Sequence, residues 1–425
     1  MTTKDVILTI TLMLAAGLGA ELVAELIRIP PMLLLLATGA LLGPSVSGAI
    51  DVPLDSIGAQ LILTLGVSFI LFHGGLQLSL AILNRVAIGL LMLVIPGVVL
   101  TALVTGSVAA VAFGVPLTTG LLIGATLSPT DPAILIPLFE RVRLRPKISQ
   151  TIIAESALND PTGAVLALAF AGVVLSGSAS LTQPMTDFLV DLALSTALGV
   201  VFGIVLSAVV SSRRTGIWRE SAAIVVIAVV SGSFFSIDSA GGSGYLGAFL
   251  AGLILGNMPL LGLGMHTHHE DEMRAFVSTV SHSMVMLVFI TLGANLPWRA
   301  MGDHFWPGLA VLATLLFIAR PMVVLVCLLV DRRGEWSWPE LAFLAWTRET
   351  GVVPAALAGI IVSMHVPDAD LVVTSVALAI IVTLGLQSTT KRWLAQRLGL
   401  LDLDTQPPPA TPFAAPAGAP STTGS

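Results

Sequence analysis

The sequence predicts an all-α membrane protein with about thirteen transmembrane helices, its N-terminus outside and its C-terminus in the cytoplasm. Three observations support this fold class. Of the 425 residues, 55% are hydrophobic and only 10% are charged, whereas soluble domains carry about 25% charged residues. Apolar runs long enough to cross a bilayer follow one another along most of the chain, and the mean hydropathy is +0.97. Basic residues collect in alternate connections between these runs.

The apolar runs define the predicted spans and the organisation of the chain. Most are long enough to cross about 30 Å of hydrocarbon at about 1.5 Å per residue. Residues 1–401 are expected to form one transmembrane unit, and the Pro/Ala/Thr-rich residues 402–425 a disordered cytoplasmic tail. The thirteen predicted spans lie near residues 5–27, 30–48, 56–82, 86–113, 116–139, 148–175, 185–211, 220–237, 243–258, 275–295, 304–331, 338–363 and 368–390.

The distribution of lysine and arginine predicts the orientation. Only Lys4 and Arg299 fall in connections predicted to lie outside, and Arg320 and Arg348 fall within spans. This asymmetry favours an odd number of spans with the C-terminus inside. The basic residues predicted to lie inside are Arg28, Arg85, Arg141, Arg143, Arg145, Lys147, Arg213, Arg214, Arg219, Arg274, Arg332, Arg333, Lys391, Arg392 and Arg397.

Two spans have polar, helix-breaking centres. The fifth contains Ser-Pro-Thr-Asp-Pro at 128–132, and the twelfth contains Thr-Arg-Glu-Thr-Gly-Val-Val-Pro at 347–354. The two spans are an odd number of crossings apart, so they point in opposite directions. Interrupted segments at matching positions of inverted halves are the sequence sign of a transporter's central site. The alternative is two unrelated proline kinks, which membrane helices tolerate.

The sixth span carries one polar stripe in an otherwise apolar helix. Glu155, Ser156, Asn159, Asp160 and Gly163 recur with the spacing of one face of an α-helix. Such a stripe faces the protein interior or a water-filled cavity, because carboxylates at bilayer depth are unfavourable unless they serve an ion or proton path. The alternative is a hydrogen-bond network that only joins helices, and two acids on one stripe weaken it.

The fifth span places Thr130 and Asp131 between Pro129 and Pro132. Each proline removes a backbone donor and clashes with the preceding turn, so carbonyls and helix ends become available there. Asp131 either neutralises the positive ends of half-helices that meet at the break or helps to hold an ion. The sequence leaves both roles open.

Arg320 lies deep in the eleventh span and needs an anionic partner. Glu155 is the best candidate, since this pairing leaves Asp160 as the acid free to titrate. Asn159 is neutral and can support Asp160 without removing its charge. An ionised Asp160 binds Na⁺ or K⁺ through hard oxygen ligands, and a protonated Asp160 does not. The residues therefore favour competition between a monovalent cation and a proton at Asp160, which would exchange one for the other.

Other polar residues are weaker candidates. His73, beside two glycines, either titrates or is a hydrogen-bonded core histidine. Arg348, Glu349 and Thr350 lie in the break of the twelfth span, where the charged pair is expected to contact other helices.

Two further clusters lie near the predicted cytoplasmic side. His266–Glu272 resembles a metal-binding or pH-sensing cluster, but a solvated cytoplasmic loop is the favoured interpretation. Glu21 and Glu25 near the inner end of the first span either line a cation funnel or are ordinary interfacial acids.

The Thr130-Asp131-Pro132 motif, the Glu-Ser-Ala-Leu-Asn-Asp segment at 155–160, Arg320 and the thirteen spans resemble the NhaP-type sodium/proton antiporters. These form part of the first branch of the monovalent cation–proton antiporter superfamily. The resemblance covers residues 5 to about 397, and the Asn-Asp pair in its context is its most specific element. It implies Na⁺, or alternatively K⁺ or Li⁺, exchanged for H⁺ in a prokaryotic inner membrane, with no cofactor.

The resemblance also implies an architecture. It implies a homodimer, each subunit with a dimerisation domain and a six-helix core domain that includes spans 116–139, 148–175, 304–331 and 338–363. Two unwound helices would cross in the core, which would move like an elevator. In this family Asp160 would correspond to the ion- and proton-binding acid, Thr130 and Ser156 to supporting ligands, and Asp131 to the residue at the helix crossing.

The resemblance also assigns roles to residues that set the charge of the site. Glu155 and Arg320 resemble the buried ion pair of the family, and Asn159 resembles the mark of its electroneutral branch. Two positions depart from the pattern. Many members have an acid where this chain has His73. Many have Arg-Gly in the second break, whereas this chain has Thr350 before Gly351 and moves the arginine to Arg348.

The alternatives to a cation/proton antiporter are proteins of other functional classes. An organic-anion symporter or exporter on a similar scaffold would favour half-helix N-termini and arginines over buried acids. An intramembrane hydrolase would use Asp131 and Asp160 as an aspartyl dyad, or Ser156 with a histidine, but the glycine-flanked contexts expected of such enzymes are missing. No filter-like repeat indicates a channel, and no basic, aromatic-studded surface indicates nucleic-acid binding. The sequence thus predicts a secondary transporter rather than an enzyme.

Overall fold

The computed structural model describes residues 3–27, 29–54, 56–177, 182–211 and 221–402, and these residues form an almost entirely helical protein. A 3₁₀ turn covers Met258–Leu261, and π-helical turns cover Leu315–Ala319 and Thr383–Gln387. The helices are α1 (Thr3–Ile27), α2 (Pro31–Leu42), α3 (Ile57–Gln77), α4 (Leu80–Arg85), α5 (Ala87–Val94), α6 (Pro96–Phe113), α7 (Leu117–Thr126), α8 (Pro132–Arg141), α9 (Pro146–Ser176), α10 (Thr182–Val210), α11 (Ala222–Ser239), α12 (Gly244–Gly256), α13 (Thr267–Ala294), α14 (Trp298–Asp303), α15 (Phe305–Thr314), α16 (Arg320–Leu328), α17 (Trp338–Trp346), α18 (Val352–Ser363), α19 (Ala369–Val382) and α20 (Ser388–Arg397).

The helices follow the predicted spans closely. Within the described ranges, nine helical stretches are long and apolar enough to cross a membrane, and shorter apolar helices lie between them. Each predicted span coincides with one helix or with two consecutive helices. The predicted all-α membrane class is confirmed, while the number of crossings and the orientation stay predictions. The predicted tail lies outside the described residues from 403 onward, as do Arg28, Arg213, Arg214 and Arg219.

One prediction about a polar segment is wrong. The His266–Glu272 cluster is not a loop, because α13 begins at Thr267 and carries most of it. Hydropathy locates the apolar part of a helix, and polar residues extend this one by two turns toward water. Lys391, which follows the last predicted span, lies on α20 and is completely buried, because that helix continues to Arg397.

The helices pack in two groups. One group contains α1, α2, α3 and α10–α13, and the other contains α5–α9 and α15–α20, including the two broken spans. Contacts between the groups are sparser than contacts within them, and α3, α8 and α9 provide several of them. The assignment of these groups to a core and a dimerisation domain stays a prediction.

Glycines let neighbouring helices approach closely within each group. A side chain at Gly120 or Gly124 of α7 would overlap the backbone of α6, and one at Gly252 of α12 would overlap Phe72 of α3. Small residues at such contacts are the usual means of packing helices in a membrane, where apolar lipid offers little hydrophobic driving force for association. The half-helix α7 is therefore fixed tightly to α6 before it reaches its break.

Candidate functional site

Both predicted breaks are present. In the first break, α7 ends at Thr126 and α8 begins at Pro132, and in the second, α17 ends at Trp346 and α18 begins at Val352. Proline disfavours helical backbone in the preceding residue, so Pro129 and Pro132 together open the chain at 127–131. The first break (127–131) and the second break (347–351) lie against each other in the second helix group.

Asp131 joins the two breaks. Its backbone N–H donates to the Glu349 carbonyl oxygen at 3.0 Å, and its carboxylate Oδ2 accepts from the Val352 N–H at 2.8 Å. Val352 is the first residue of α18, so the carboxylate lies at the positive end of that half-helix. Gly351 makes this approach possible, because a Cβ there would collide with the Asp131 carboxylate. This contact is the one that the first of the two predicted roles for Asp131 requires.

Arg348 makes the reciprocal contact. Its Nη2 donates to the carbonyl oxygens of Leu127 at 3.1 Å and Ser128 at 2.5 Å, which directly follow the end of α7 at Thr126. A helix C-terminus carries partial negative charge and exposed carbonyls, so a guanidinium stabilises it. Each break therefore supplies the charged side chain that satisfies the half-helix of the other.

Thr130 is tied to the polar stripe of α9. Its N–H donates to Asn159 Oδ1 at 3.1 Å, and its Oγ1 accepts from Asn159 Nδ2 at 2.9 Å. The Thr130 and Ser156 hydroxyl oxygens are 2.7 Å apart, and either can donate. All three side chains are buried. The predicted supporting residues therefore form one network between the first break and α9.

Asp160 lies beside this network without joining it. The residue is 3% exposed, and neither carboxylate oxygen has a hydrogen-bond partner among the described residues. Asp131 is close enough to interact with it electrostatically. A buried carboxylate without donors is strongly unfavourable unless it is protonated or bound to a cation or to water. This side chain can be satisfied by a proton or by a bound cation.

Glu155, at the other end of the stripe, is fully paired. Arg320 binds it in a bidentate manner, Nη1 to Oε1 and Nη2 to Oε2, the second contact at 2.9 Å, and Arg320 Nε donates to the Leu344 carbonyl at 3.0 Å. The predicted partnership of Arg320 and Glu155 is confirmed. Pro321 follows Arg320 and cannot donate to the preceding turn, which accounts for the π-helical turn at Leu315–Ala319.

Comparison with known proteins places this arrangement in a family. The family model described as "Sodium/hydrogen exchanger, transmembrane" matches residues 9–397. The chain belongs to the sodium/hydrogen exchanger family. The family resemblance drawn from the motifs is confirmed.

Individual relatives agree with this assignment. The exchanger is 29% identical over 358 residues to Na(+)/H(+) antiporter 1 of Methanocaldococcus jannaschii, covering 82% of this chain and 81% of that protein. It is 28% identical over 390 residues to K(+)/H(+) antiporter NhaP2 of Shewanella sp. (strain ANA-3), covering 91% of this chain but only 66% of that protein. The structure of the sodium proton antiporter MjNhaP1 from M. jannaschii matches with a TM-score of 0.74 and 26% identity, over 92% of this chain and 98% of that one.

These relatives fix the general activity. The exchanger is a multi-pass membrane protein and a secondary transporter that exchanges a monovalent cation for protons, not an enzyme. The organic-anion alternative is not favoured.

The weaker candidates occupy varied positions in the exchanger. His73 is buried on α3, where its Nε2 accepts from the Gln77 side-chain amide at 3.0 Å. Thr350 donates its backbone N–H to Thr383 Oγ1 at 3.2 Å, and its own hydroxyl has no partner among the described residues. Glu349 pairs with Lys391, and both side chains are completely buried. Nothing in the sequence connects Lys391 with the break, since this residue follows the last predicted span.

The structure also shows the surroundings of the two clusters near the predicted cytoplasmic side. His268 and His269 each lie near Glu272, at 3.6 and 3.5 Å, on the exposed first turns of α13. Within the described ranges, no group of three or more potential ligands is arranged to hold a metal ion.

Glu21 and Glu25 line a cavity of about 390 Å³ between the two helix groups. α1, α2 and α13 form one wall, with His282 Nε2 lying 2.5 Å from Glu21 Oε1, and α8 and α20 form the other wall, with Arg392. Beside these polar side chains, the lining includes the apolar Met32, Leu35 and Ile134. The structure therefore places both acids beside an opening at the seam between the groups.

Proposed function

We propose that the protein exchanges Na⁺, or alternatively K⁺ or Li⁺, for H⁺ by competition at the Asp160 carboxylate. The observation that carries this proposal is the pair of buried, unpartnered Asp160 oxygens beside the neutral oxygens of Thr130 and Ser156. Carboxylate and hydroxyl oxygens are hard ligands suited to alkali cations. A cation and a proton satisfy the same oxygens, so binding of one displaces the other.

The surrounding charges support a one-for-one, electroneutral exchange. Glu155 is held by Arg320, and the Asp131 carboxylate caps α18. Asn159 carries no charge, and both groups of its amide bind Thr130. Among the acids around the site, Asp160 is thus the one whose charge no fixed partner balances. One titrating acid that accepts one monovalent cation moves no net charge when it exchanges that cation for a proton.

Access from both sides is proposed to follow an elevator-like movement of the second helix group against the first. Asp160, the two breaks and Arg320 all lie on helices of the second group, so the site can move as a unit. The seam between the groups carries few contacts, and the cavity lined by Glu21 and Glu25 opens along it. We propose that this cavity is the cytoplasmic approach for the cation. The homodimer and the inner-membrane location implied by the family resemblance also remain proposals.

Reconstitution tests the exchange directly. Purified protein in liposomes with an imposed pH gradient and a pH-sensitive dye inside should dissipate the gradient when NaCl or KCl is added, and should not respond to choline chloride. The rate should be independent of an imposed membrane potential. Titrating Na⁺, K⁺ and Li⁺ at several pH values should raise the apparent KM as pH falls, since protons compete for the same carboxylate. A KM for the cation that does not change with pH would contradict competition at one site.

A further inference from the structure

Lys391 is an unusual residue for its surroundings. It lies on α20 with no exposed surface, its Nζ contacts the Glu349 carboxylate, and it sits 5.5 Å from the centroid of the Phe139 ring on α8. Lysine is rarely buried completely, because removing an ammonium from water is strongly unfavourable unless it is well paired. A second buried ion pair therefore lies in the same helix group as Glu155 and Arg320, and it contacts both broken spans.

The partner of Lys391 belongs to the second break. The Glu349 carbonyl oxygen accepts from the Asp131 N–H at 3.0 Å, so this residue links the two breaks through its backbone while Lys391 holds its side chain. α17 has already ended at Trp346, and α18 has not begun, so no helix fixes the backbone here. The position of the Glu349 carbonyl depends on contacts from outside the break.

Those contacts come from one strip of the last span. Thr383 Oγ1 accepts from the Thr350 N–H at 3.2 Å, Gln387 Oε1 accepts from the Arg348 N–H at 3.2 Å, and Lys391 binds the Glu349 side chain. The three residues are spaced four apart, which places them on one face of a helical segment. They hold three consecutive residues of the break. We refer to Thr383, Gln387 and Lys391 as the clamp.

We propose that the clamp positions the second break for cation exchange, with Lys391 as its anchor. The clamp acts through Glu349 and Asp131 and does not touch the ion. Through the Asp131 backbone, the position of Glu349 sets where the first break and its Thr130 lie relative to Asp160. This inference rests on the exchange proposed above, and it adds positioning residues to it.

The charges of the pair can be removed separately or together. Lys391→Met leaves the Glu349 carboxylate buried without a counter-charge, and Glu349→Gln strands the lysine, so each single variant should melt at a clearly lower temperature. The double variant Glu349→Gln/Lys391→Met removes both charges and should melt within about 3 °C of the wild type. The break would still have lost its anchor, so we expect its maximal exchange rate in liposomes to stay at least about fivefold below wild type. The single variant Lys391→Arg keeps the ion pair with Glu349, so it should retain most of the wild-type maximal exchange rate.

A second variant tests the clamp without altering charge. Thr383→Val keeps the side-chain shape but leaves the buried Thr350 N–H without its acceptor. Its melting temperature should therefore fall by only a few degrees while its maximal rate falls about threefold or more. Arg397→Met, on an exposed turn of the same helix as Lys391, removes one positive charge as Lys391→Met does and should leave the exchange rate unchanged.

If Thr383→Val keeps the wild-type rate, or if the double variant folds and keeps both wild-type rate and KM, the clamp does not position the break. A wild-type protein that shows no exchange would instead overturn the proposed function.

Discussion

The two acids of the α9 stripe differ in whether another side chain pairs with them. Glu155 and Asp160 are five residues apart on the same helix, and both are almost completely buried. Glu155 gives both oxygens to the Arg320 guanidinium, whereas neither oxygen of Asp160 has a partner among the described residues. Burial of an acid in a membrane helix therefore does not by itself identify the transport site. The proposed transport site rests instead on the missing partner, because an unpaired carboxylate is available to a proton or a cation.

The largest effect on exchange is expected at the unpaired acid, Asp160. Asp160→Asn keeps the shape of the side chain but removes the group that binds the cation, so exchange in liposomes should fall by at least about 100-fold. The melting temperature should stay equal to that of the wild type or rise, because a buried carboxylate has been removed. Asp160→Ala should likewise abolish exchange in a folded protein. Exchange at the wild-type rate in either variant would remove Asp160 from the mechanism.

Removing the partner of Glu155 should lower the stability of the protein. Arg320→Ala leaves Glu155 buried without its counter-charge, which destabilises a protein by about 3–5 kcal/mol. Thermal melting of the purified variant should show a clearly lower transition than the wild type. Adding Glu155→Gln should restore part of the loss. An unchanged melting temperature in Arg320→Ala would mean that the pair does not stabilise the fold.

Gly351 tests the link between Asp131 and α18. Gly351→Ala introduces a methyl group where the Asp131 carboxylate lies, so the carboxylate must leave the Val352 N–H, and exchange should fall about tenfold. Gly359→Ala is the matched control, because it adds the same methyl group to the same half-helix in open space. Equal rates for the two variants would show that the capping contact does not matter for exchange.

The smallest effect is expected at an exposed ion pair. Arg85 and Glu335 lie 2.6 Å apart with side chains 57% and 73% exposed. Such pairs contribute about 0–1 kcal/mol, so Arg85→Ala should barely change the melting temperature. A shift as large as that of Arg320→Ala would show that burial is not what distinguishes the two pairs.

The sequence predicted the parts of the site that follow from local chemistry. The stripe from Glu155 to Gly163 follows from helical periodicity, the first break from Pro129 and Pro132, and the pairing of Arg320 from the need to balance a buried charge. The first two inferences need only the sequence around each residue. The third needs only the small number of acids within the spans that could pair with Arg320.

The remaining contacts depend on tertiary structure. Lys391 follows the last predicted span because the apolar run stops before it, yet its helix continues to Arg397 and buries it. The contact of Arg348 with the carbonyls of Leu127 and Ser128 joins positions more than 200 residues apart. No spacing rule relates such positions, so only the folded chain shows that each break satisfies the other.

The mutual capping of the two breaks has a consequence for the energetics of the transport cycle. If Asp131 stays on α18 and Arg348 stays on α7 while the helix group moves, the oxygens around the cation are the same at both membrane faces. The intrinsic dissociation constant should then be equal whether the ion arrives from the cytoplasm or from outside. Forward and reverse exchange would then show the same KM for the cation, and the protein would work equally well in both directions.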